Sequence, residues 1–386
     1  MRSSGKAMAD RESEIVAKIA SGVAGLNPFA WDRLAGGDPF VSHAFLSALE
    51  DSGSVGPDTG WTPAPILVED EAWHLVAAAP GYLKTNSQGE YVFDHGWAEA
   101  WERAGGAYYP KLQVAVPFTP VPGPRLLGDR PHHLLAAIEA VAVQNELSSV
   151  HVTFADAAAV AEAERRGWLI RHGLQYHWFN RGYASFDEFL ATLRSAKRKA
   201  IRRERAAARD GLEFRSLRGA EITSSDWDAM WVFYQDTGSR KWGRPYLTRE
   251  FFDLIGERMG DSLLLFLACR GPLPIAGALN VIGPDALYGR YWGTVDEVPF
   301  LHFELSYYQA IEWAIAHGRA SVQAGAQGEH KLARGYEPVI TRSAHFIPNQ
   351  SFRNAVADFV EAERAGIARE AEWMAGALPY RISSPA

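Results

Sequence analysis

The run YGRYWGTVDEVPFLHFELSYYQAIEWAIAHGRASVQAGAQGEHKLARG, residues 288–335, reads as strand, helix, short strand and second short helix. Alternation predicts Tyr288, Arg290 and Trp292 on one face of the strand, with Gly289, Tyr291 and Gly293 on the other. A turn carrying Pro299 leads into a helix over about 303–316. Its apolar residues Leu305, Tyr308, Ile311 and Ile315 recur at three- and four-residue spacing. His302 and Glu304 stand at the start of that helix; Gly328, Glu329, His330 and Lys331 stand at the start of the next. In an α/β sheet both places lie beyond the carboxyl ends of strands, where ligands bind. They are the candidate active site; caps and surface charge are the plainer alternative.

Around that run the chain is 386 residues long, which suits two domains. Apolar content of 47% and charged content of 22% are those of a globular protein. Thirteen Trp and fourteen Tyr favour shaped, aromatic-lined clefts. A net charge of −7 means that any polyanion site must be local. The single cysteine, Cys269, excludes internal disulfides and multi-cysteine metal sites, so no metal is expected. It closes the apolar run LLLFLAC and reads as a buried strand residue. No apolar run is long enough to span a membrane, and no signal peptide is evident, so a cytoplasmic location is expected.

The order of elements in 29–183 recurs in 212–348. AERRGWLIRHGLQYHWF (163–179) stands where HKLARGYEPVITRSAHF (330–346) stands: short helix, stop glycine, aromatic, strand. VAAAPGYLK (76–84) likewise mirrors PIAGALNVI (274–282). A repeated unit of this length marks a duplication. The expected organisation is a flexible segment 1–28, a first domain 29–183, a basic connecting helix 184–211, a second domain 212–348, and a C-terminal helix and tail 349–386. A helix over 14–20, a strand over 73–84 and a further strand over 91–94 are also expected.

This unit resembles the GNAT acyltransferase fold, and its tandem arrangement resembles the FemAB-like branch of N-acyltransferases, the peptidoglycan-biosynthesis type. The likeness rests on SHAFLSALEDSG (42–53), GEYVFDHGWAEAW (89–101), YYPKLQVAVPFTPVPGPRLL (108–127), IRRER (201–205), SRKWGRPYLTREFF (239–252), LYGRYWG (287–293), FLHFEL (300–305) and GAQGEHKLARGYEP (325–338). It implies a mixed α/β fold of two GNAT-like halves and transfer of an acyl or aminoacyl group onto an amine of a small molecule or peptide. No tightly bound cofactor is implied; the donor is acyl-CoA or aminoacyl-tRNA. One departure matters. The turn entering the helix, Val298-Pro299-Phe300-Leu301-His302, has no glycine, and its counterpart at 116–125 is rich in proline. Neither builds a cradle of free N–H groups for a pyrophosphate, which weighs against CoA and leaves aminoacyl-tRNA as the alternative.

Four constellations carry the chemistry. An attacking amine must be neutral, so Glu304 or His302 is expected to take its proton. Lys331, His330 and the Gly328 backbone are candidates to stabilise the oxyanion, and Tyr291 to protonate the leaving atom. From 194 to 209 the chain is basic, with Arg194, Arg198, Arg202, Arg205 and Arg209 on one helical face. Such a ridge grips tRNA phosphates, or is neutralised by the protein's own acids. In the first half Asp94 and Lys111, with Lys84, lie among Tyr82, Tyr91, Trp97, Tyr108 and Tyr109, a place for a polar acceptor or an aromatic core. Arg240, Lys241, Trp242, Arg244 and Tyr246 form a cationic–aromatic loop able to stack a base, and Arg290 and Glu329 complete the expected substrate contacts. GAQGEHK lacks the spacing of a phosphate-binding P-loop, and no Gly-x-Ser-x-Gly elbow exists. A non-catalytic module gripping a phosphorylated or glycan-like ligand is the competing class of function.

Overall fold

The computed structural model describes residues 16–242, 245–325 and 328–381, without the side chains of 237–242 and 329. The expectations on Lys241, Trp242, Arg244 and Glu329 therefore lie outside the described side chains. Eleven strands form one mixed sheet, in the order Glu213–Arg218, Leu263–Arg270, Leu273–Ile282, Ala286–Thr294, Ser321–Gln323, Leu169–Phe179, Glu337–Phe346, Val150–Val152, Lys111–Val114, Gly81–Lys84 and Trp61–Pro63. A smaller sheet holds Val16–Ile19, Ile66–Glu69, Leu75–Ala79 and Leu127–Gly128.

The two longest central strands show the duplication. Leu169–Phe179 and Glu337–Phe346 run antiparallel, with Gly173 opposite Thr341. The offset that carries Gly167-Trp168 onto Gly335-Tyr336 also carries Gly173 onto Thr341, so a local two-fold axis passes through that pair. On either side the pattern repeats. Ser321–Gln323 is antiparallel to the first long strand and parallel to Ala286–Thr294. Val150–Val152 is antiparallel to the second and parallel to Lys111–Val114. The last strand of each half is thus bonded into the sheet of the other.

The cores cross the same boundary. Trp31 and Phe45, from helices Pro28–Ala35 and His43–Asp51, pack with Phe251, Phe252, Leu265 and Leu279 of the second half. The terminal helix Gln350–Gly376 lies against both long strands, where Arg171 holds Glu363 at 2.7 Å and Tyr176 donates to Met374 Sδ. The entry turns are twins: Thr119 N–H bonds Val116 C=O and Leu301 N–H bonds Val298 C=O, each at 3.3 Å. Each has proline second and phenylalanine third, with φ of 57° at Phe118 and 63° at Phe300. These are type II turns in which phenylalanine fills the place that favours glycine, a strain of about 1–2 kcal/mol per copy.

Several local expectations fail for identifiable reasons. The strand expected over 73–84 breaks at Pro80, so Leu75–Ala79 and Gly81–Lys84 belong to different sheets. Gly81 makes the break possible: a Cβ there would sit 2.5 Å from Ala64 C=O. Its counterpart in the second half, Leu273–Ile282, stays continuous. Residues 16–19 are a strand rather than a helix, paired with Ile66–Glu69. Residues 91–94 form no strand, because Tyr91 turns the chain at φ 59°. The basic helix is two, Phe186–Thr192 and Ser195–Arg209, separated by Leu193 in extended conformation.

Candidate functional site

A cleft opens where two parallel strands part. Ala286–Thr294 and Ser321–Gln323 pair only from Ala286 to Tyr288. Just beyond, Leu279 faces Tyr291 and Asn280 faces Gly289, which leaves Arg290 as the extra residue of a β-bulge. The bulge breaks the expected alternation. Tyr288 and Tyr291 share the face that packs on Phe252 and Tyr234, while Trp292 turns to the opposite face. Tyr291 therefore lies across the sheet from His302. At Gly293 a Cβ would fall 1.9 Å from Phe233 C=O, so only glycine lets the helix Ser224–Trp242 close over this strand.

On the Trp292 face the helix begins at Leu301–Phe303, widens into a π turn at Glu304–Tyr308, and continues as Gln309–Ala316. The extra residue per turn buries Glu304, Leu305, Tyr307 and Tyr308 together; such widened turns are frequent at functional sites. Tyr307 Oη lies 2.9 Å from His330 Nε2. The His302 ring sits 5.1 Å from Trp292, 5.2 Å from Tyr307 and 6.2 Å from His330, centroid to centroid. Burial pushes the Tyr307 phenol well above its ordinary range, so it remains protonated. Gly328 is needed at its place, since a Cβ would meet the His330 ring at 2.4 Å. Beneath them Lys331, 1% exposed, donates to Gly325 C=O at 2.7 Å. Arg334 stacks on Phe303 and donates to Tyr308 Oη, His330 C=O and Glu204, tying the basic helix to the cleft. The structure thus brings together His302, His330, Lys331 and Gly328.

Glu304 is a correction. Its carboxylate is 0% exposed and accepts from Arg205 at 3.0 and 3.1 Å and from Arg209 at 2.8 Å, so it faces guanidinium groups and not the cleft. The arginine ridge is corrected with it. Arg205 and Arg209 clamp Glu304, with Arg205 also on Glu312. Arg202 pairs with Asp187, and Arg194 and Arg198 bond the carbonyls of Tyr380 and Leu193. Arg194, Arg202 and Arg209 stay exposed beside these partners, and Lys197, Lys199 and Arg203 are exposed as well.

On the opposite face Arg290 donates to Phe118 C=O at 2.8 Å, and Tyr246 stacks flat on Phe118 at 4.8 Å. Burial raises Tyr91, to about 12, and Tyr291; the Arg290 guanidinium partly offsets both. Phe118 belongs to the segment that fills the matching gap in the first half. There Gly123 forms a parallel bridge with Ala155, and the buried Arg125 donates to Thr153 C=O and Val121 C=O. In the second half no strand pairing beyond Tyr288 and Gln323 bridges the gap among the described residues.

Asp94 and Lys111 meet, but inside a sealed network at the foot of the first half. Lys111 Nζ bonds Ser87 Oγ at 2.9 Å, Glu90 at 2.8 Å and Asp94 more closely. Tyr108 donates to Asp94 at 2.6 Å, and His151 meets His345 nitrogen to nitrogen at 2.7 Å. Burial pushes Glu90 up to about 7 and Lys84 down to about 7; burial opposes ionisation of Asp94, but Lys111 holds it well below the usual range. With Lys84 and Lys111 0% exposed, this pair forms no surface for an acceptor. Among the described residues no cluster of three or more ligating side chains is arranged for a metal, and no helix is long and apolar enough to cross a membrane.

Residues 22–382 match the FemAB-like family, described as peptidoglycan biosynthesis/recognition. The chain belongs to that family. Among solved structures it resembles FemX, with 12% identity, a TM-score of 0.51, and coverage of 86% of this chain and 98% of that one. It also resembles a conserved protein of unknown function from Bacteroides thetaiotaomicron VPI-5482, with 10% identity, a TM-score of 0.51, and coverage of 86% and 99%. A tandem GNAT protein from the clavulanic acid biosynthesis pathway aligns more loosely, with 14% identity, a TM-score of 0.44, and coverage of 86% and 97%. At such identities the likeness to FemX and to the Bacteroides protein shows the fold alone, a mixed α/β chain of two like halves. No curated protein matches the chain in sequence.

Proposed function

We propose that this FemAB-like chain is an N-acyltransferase that moves an acyl or aminoacyl group from aminoacyl-tRNA or acyl-CoA onto the amine of a cell-wall-related acceptor. The observation that carries the reading is the gap beyond Tyr288 and Gln323, flanked by the Tyr307–His330 pair on one face and by Arg290 with its tyrosines on the other. The amine nitrogen attacks the carbonyl carbon and a tetrahedral oxyanion forms. The His330 imidazole takes the amine proton, and the C–O bond of a tRNA ester, or the C–S bond of a thioester, breaks as that proton reaches the leaving atom. Tyr307, protonated by virtue of its burial, hydrogen-bonds His330 and fixes its ring. Lys331 sets positive charge under the turn and, with the Gly328 backbone, favours the oxyanion. His302 walls the donor side; Arg290 and Tyr291 line the acceptor side. Glu304 has no proton-transfer role.

The type II turn at Val298–Leu301 offers few free N–H groups at the helix mouth, and this favours aminoacyl-tRNA as donor. Lys197, Lys199 and Arg203 are then the outward contacts for its phosphates. Transfer of label from aminoacyl-tRNA and from acyl-CoA into an amine pool of cell extract tests the reading. Label from tRNA, lost in His330→Ala, is the expected result. Label from acyl-CoA alone would refute the tRNA donor, and transfer from neither would refute the enzyme.

A further inference from the structure

The arginine that closes the short helix of the cleft has a twin in the first half. The offset that carries Gly167-Trp168 onto Gly335-Tyr336 carries Arg166 onto Arg334. Each half also has a helix linking its two parallel strands: Pro131–Gln144 in the first, and the helix from Leu301 to Ala316 in the second. Arg166 is held by the helix of its own half, where the Glu139 carboxylate accepts from Nε at 2.9 Å and from Nη2 at 2.5 Å. A two-pronged pair of this kind is the ordinary way to neutralise a guanidinium.

Arg334 is wired differently. The cleft helix offers it a hydroxyl in place of a carboxylate: Nε donates to Tyr308 Oη at 2.9 Å. Nη1 donates to His330 C=O at 2.8 Å and Nη2 to Glu204 at 2.9 Å, while the guanidinium carbon lies 3.4 Å from the centre of the Phe303 ring. Its carboxylate therefore comes from the basic helix Ser195–Arg209, and Glu204 accepts from Tyr308 Oη as well. Arg334 is buried, with each of its three nitrogens committed to the protein. One of its bonds fixes the backbone of His330, and another fixes Tyr308, the neighbour of Tyr307 on the π turn. Those are the two segments whose side chains meet at Tyr307 Oη and His330 Nε2.

We infer that Arg334, anchored by Glu204 of the basic helix, is the positioning residue of the transfer cleft: it holds the His330 turn against the π turn so that the imidazole stays on Tyr307. The inference rests on the reading of His330 as the group that takes the amine proton. The planar fork is needed for it. A lysine ammonium in the same place reaches Glu204 as a point charge but does not hold the hydroxyl, the carbonyl and the ring at once. Misplacing a reacting group by about 1 Å lowers turnover by about a hundredfold. Because Arg334 acts through His330, that loss falls on turnover and leaves the Michaelis constants nearly as they were. The Glu304 clamp supplies a comparison on the same helix: it ties Arg205 and Arg209 to the cleft helix, and among the described residues it bonds nothing in the His330 turn.

The test follows the His330 ring directly, by NMR of the full chain labelled with carbon-13 at histidine Cε1, with the signal assigned by its loss in His330→Ala. Steady-state transfer from aminoacyl-tRNA and from acyl-CoA is measured beside it. Expected in Arg334→Lys and in Glu204→Gln are a displaced His330 signal, turnover lowered about 10- to 100-fold, and Michaelis constants within about threefold of the parent's. Tyr308→Phe keeps the ring and deletes only the hydroxyl between Glu204 and Arg334, so it guards against loss of fold; the same displacement is expected, with turnover lowered about three- to tenfold. Glu304→Gln is expected to leave the signal in place. An unmoved signal in Arg334→Lys and Tyr308→Phe, an equal displacement in Glu304→Gln, or turnover of Arg334→Lys within about threefold of an active parent would each overturn the proposal. The signal is read without turnover, so a parent that transfers from neither donor refutes the transferase, while a displaced signal in Arg334→Lys still supports the positioning of His330.

Discussion

Replacing Glu304 with glutamine separates two accounts of the same residue. In the structure its carboxylate is fully buried and holds Arg205 and Arg209 of the basic helix against the cleft helix. Removing one partner of a buried pair costs about 3–5 kcal/mol. The lower end applies here, about 3 kcal/mol, because Arg205 keeps Glu312 at 2.6 Å and the Arg209 side chain is 45% exposed. A chain of 386 residues unfolds with an entropy of about 0.8 kcal/mol/K near 60 °C, so the melting temperature is expected to fall by about 4 °C. Calorimetry or circular dichroism reads that shift. The double variant Glu304→Gln, Arg209→Gln is expected to lose less than the sum of the singles by about 1 kcal/mol. Turnover at 25 °C, where the variant is folded, is expected to fall by less than tenfold. An unchanged melting temperature with turnover reduced a hundredfold or more would refute this reasoning and return Glu304 to the role of base.

His330→Ala is expected to lower turnover by about 10²- to 10⁴-fold, with about 1–3 kcal/mol of stability lost as the buried Tyr307 hydroxyl gives up its partner; activity within threefold of the parent would remove His330 from the chemistry. Tyr307→Phe keeps the packing and deletes one hydrogen bond, and should cost about tenfold in turnover. Burial, then Lys331, pushes the His177 imidazole down to about 4 from its ordinary 6.5. The unfolded chain binds a proton there between pH 6.5 and 4 that the native chain does not, so this stability is present above pH 6.5 and lost as pH falls, on the order of 3 kcal/mol over the window. His177→Gln should reduce the slope of melting temperature against pH in that window by one proton's share, His151 and His345 keeping theirs, and an unaltered slope would show the reasoning to be wrong. Exchanging Lys197, Lys199 and Arg203 for alanine should reduce the log–log salt slope of tRNA binding by about 2 to 3; a slope identical to the parent's would place the contact elsewhere.

The pairing of His302 with His330 was legible because both follow strands that end at the same edge of a sheet, a relation that element order alone conveys. Tyr307 was not. The π turn adds a residue to one helical turn, so a search at three- and four-residue spacing finds Tyr308 and passes over its neighbour. The bulge at Arg290 defeats a period-two reading in the same way, moving Tyr291 to the face of Tyr288. The arginine stripe was real as a stripe, but spacing on one helix carries no information about what lies against it, and Glu304, Glu312 and Asp187 do. His151 and His345, 194 residues apart, meet only because each half lends its last strand to the other. No local pattern announces such an exchange.

The two halves also treat the gap between their parting strands differently. Two like halves sharing a continuous sheet place their gaps on opposite sides of the axis at Gly173 and Thr341. In the first half the segment after Val116 runs back into its own gap, where the Gly123–Ala155 bridge and the Arg125 hydrogen bonds satisfy backbone groups that the parting strands would otherwise leave open. Burial lowers the Arg125 guanidinium to about 10, still charged at neutral pH, so the plug is a cation neutralised by neighbouring carbonyls and by Asp38 and Asp156. Pro120 C=O of the same segment accepts from Gln175 on the first long strand, and Phe118 C=O reaches across the boundary to accept from Arg290. The segment that fills the gap of the first half thus lies against Arg290, beside the point where the strands of the second half part. The segment that fills the first gap and the carbonyl that Arg290 bonds are one piece of chain, so substitutions that loosen the plug at Arg125 should be felt at Arg290.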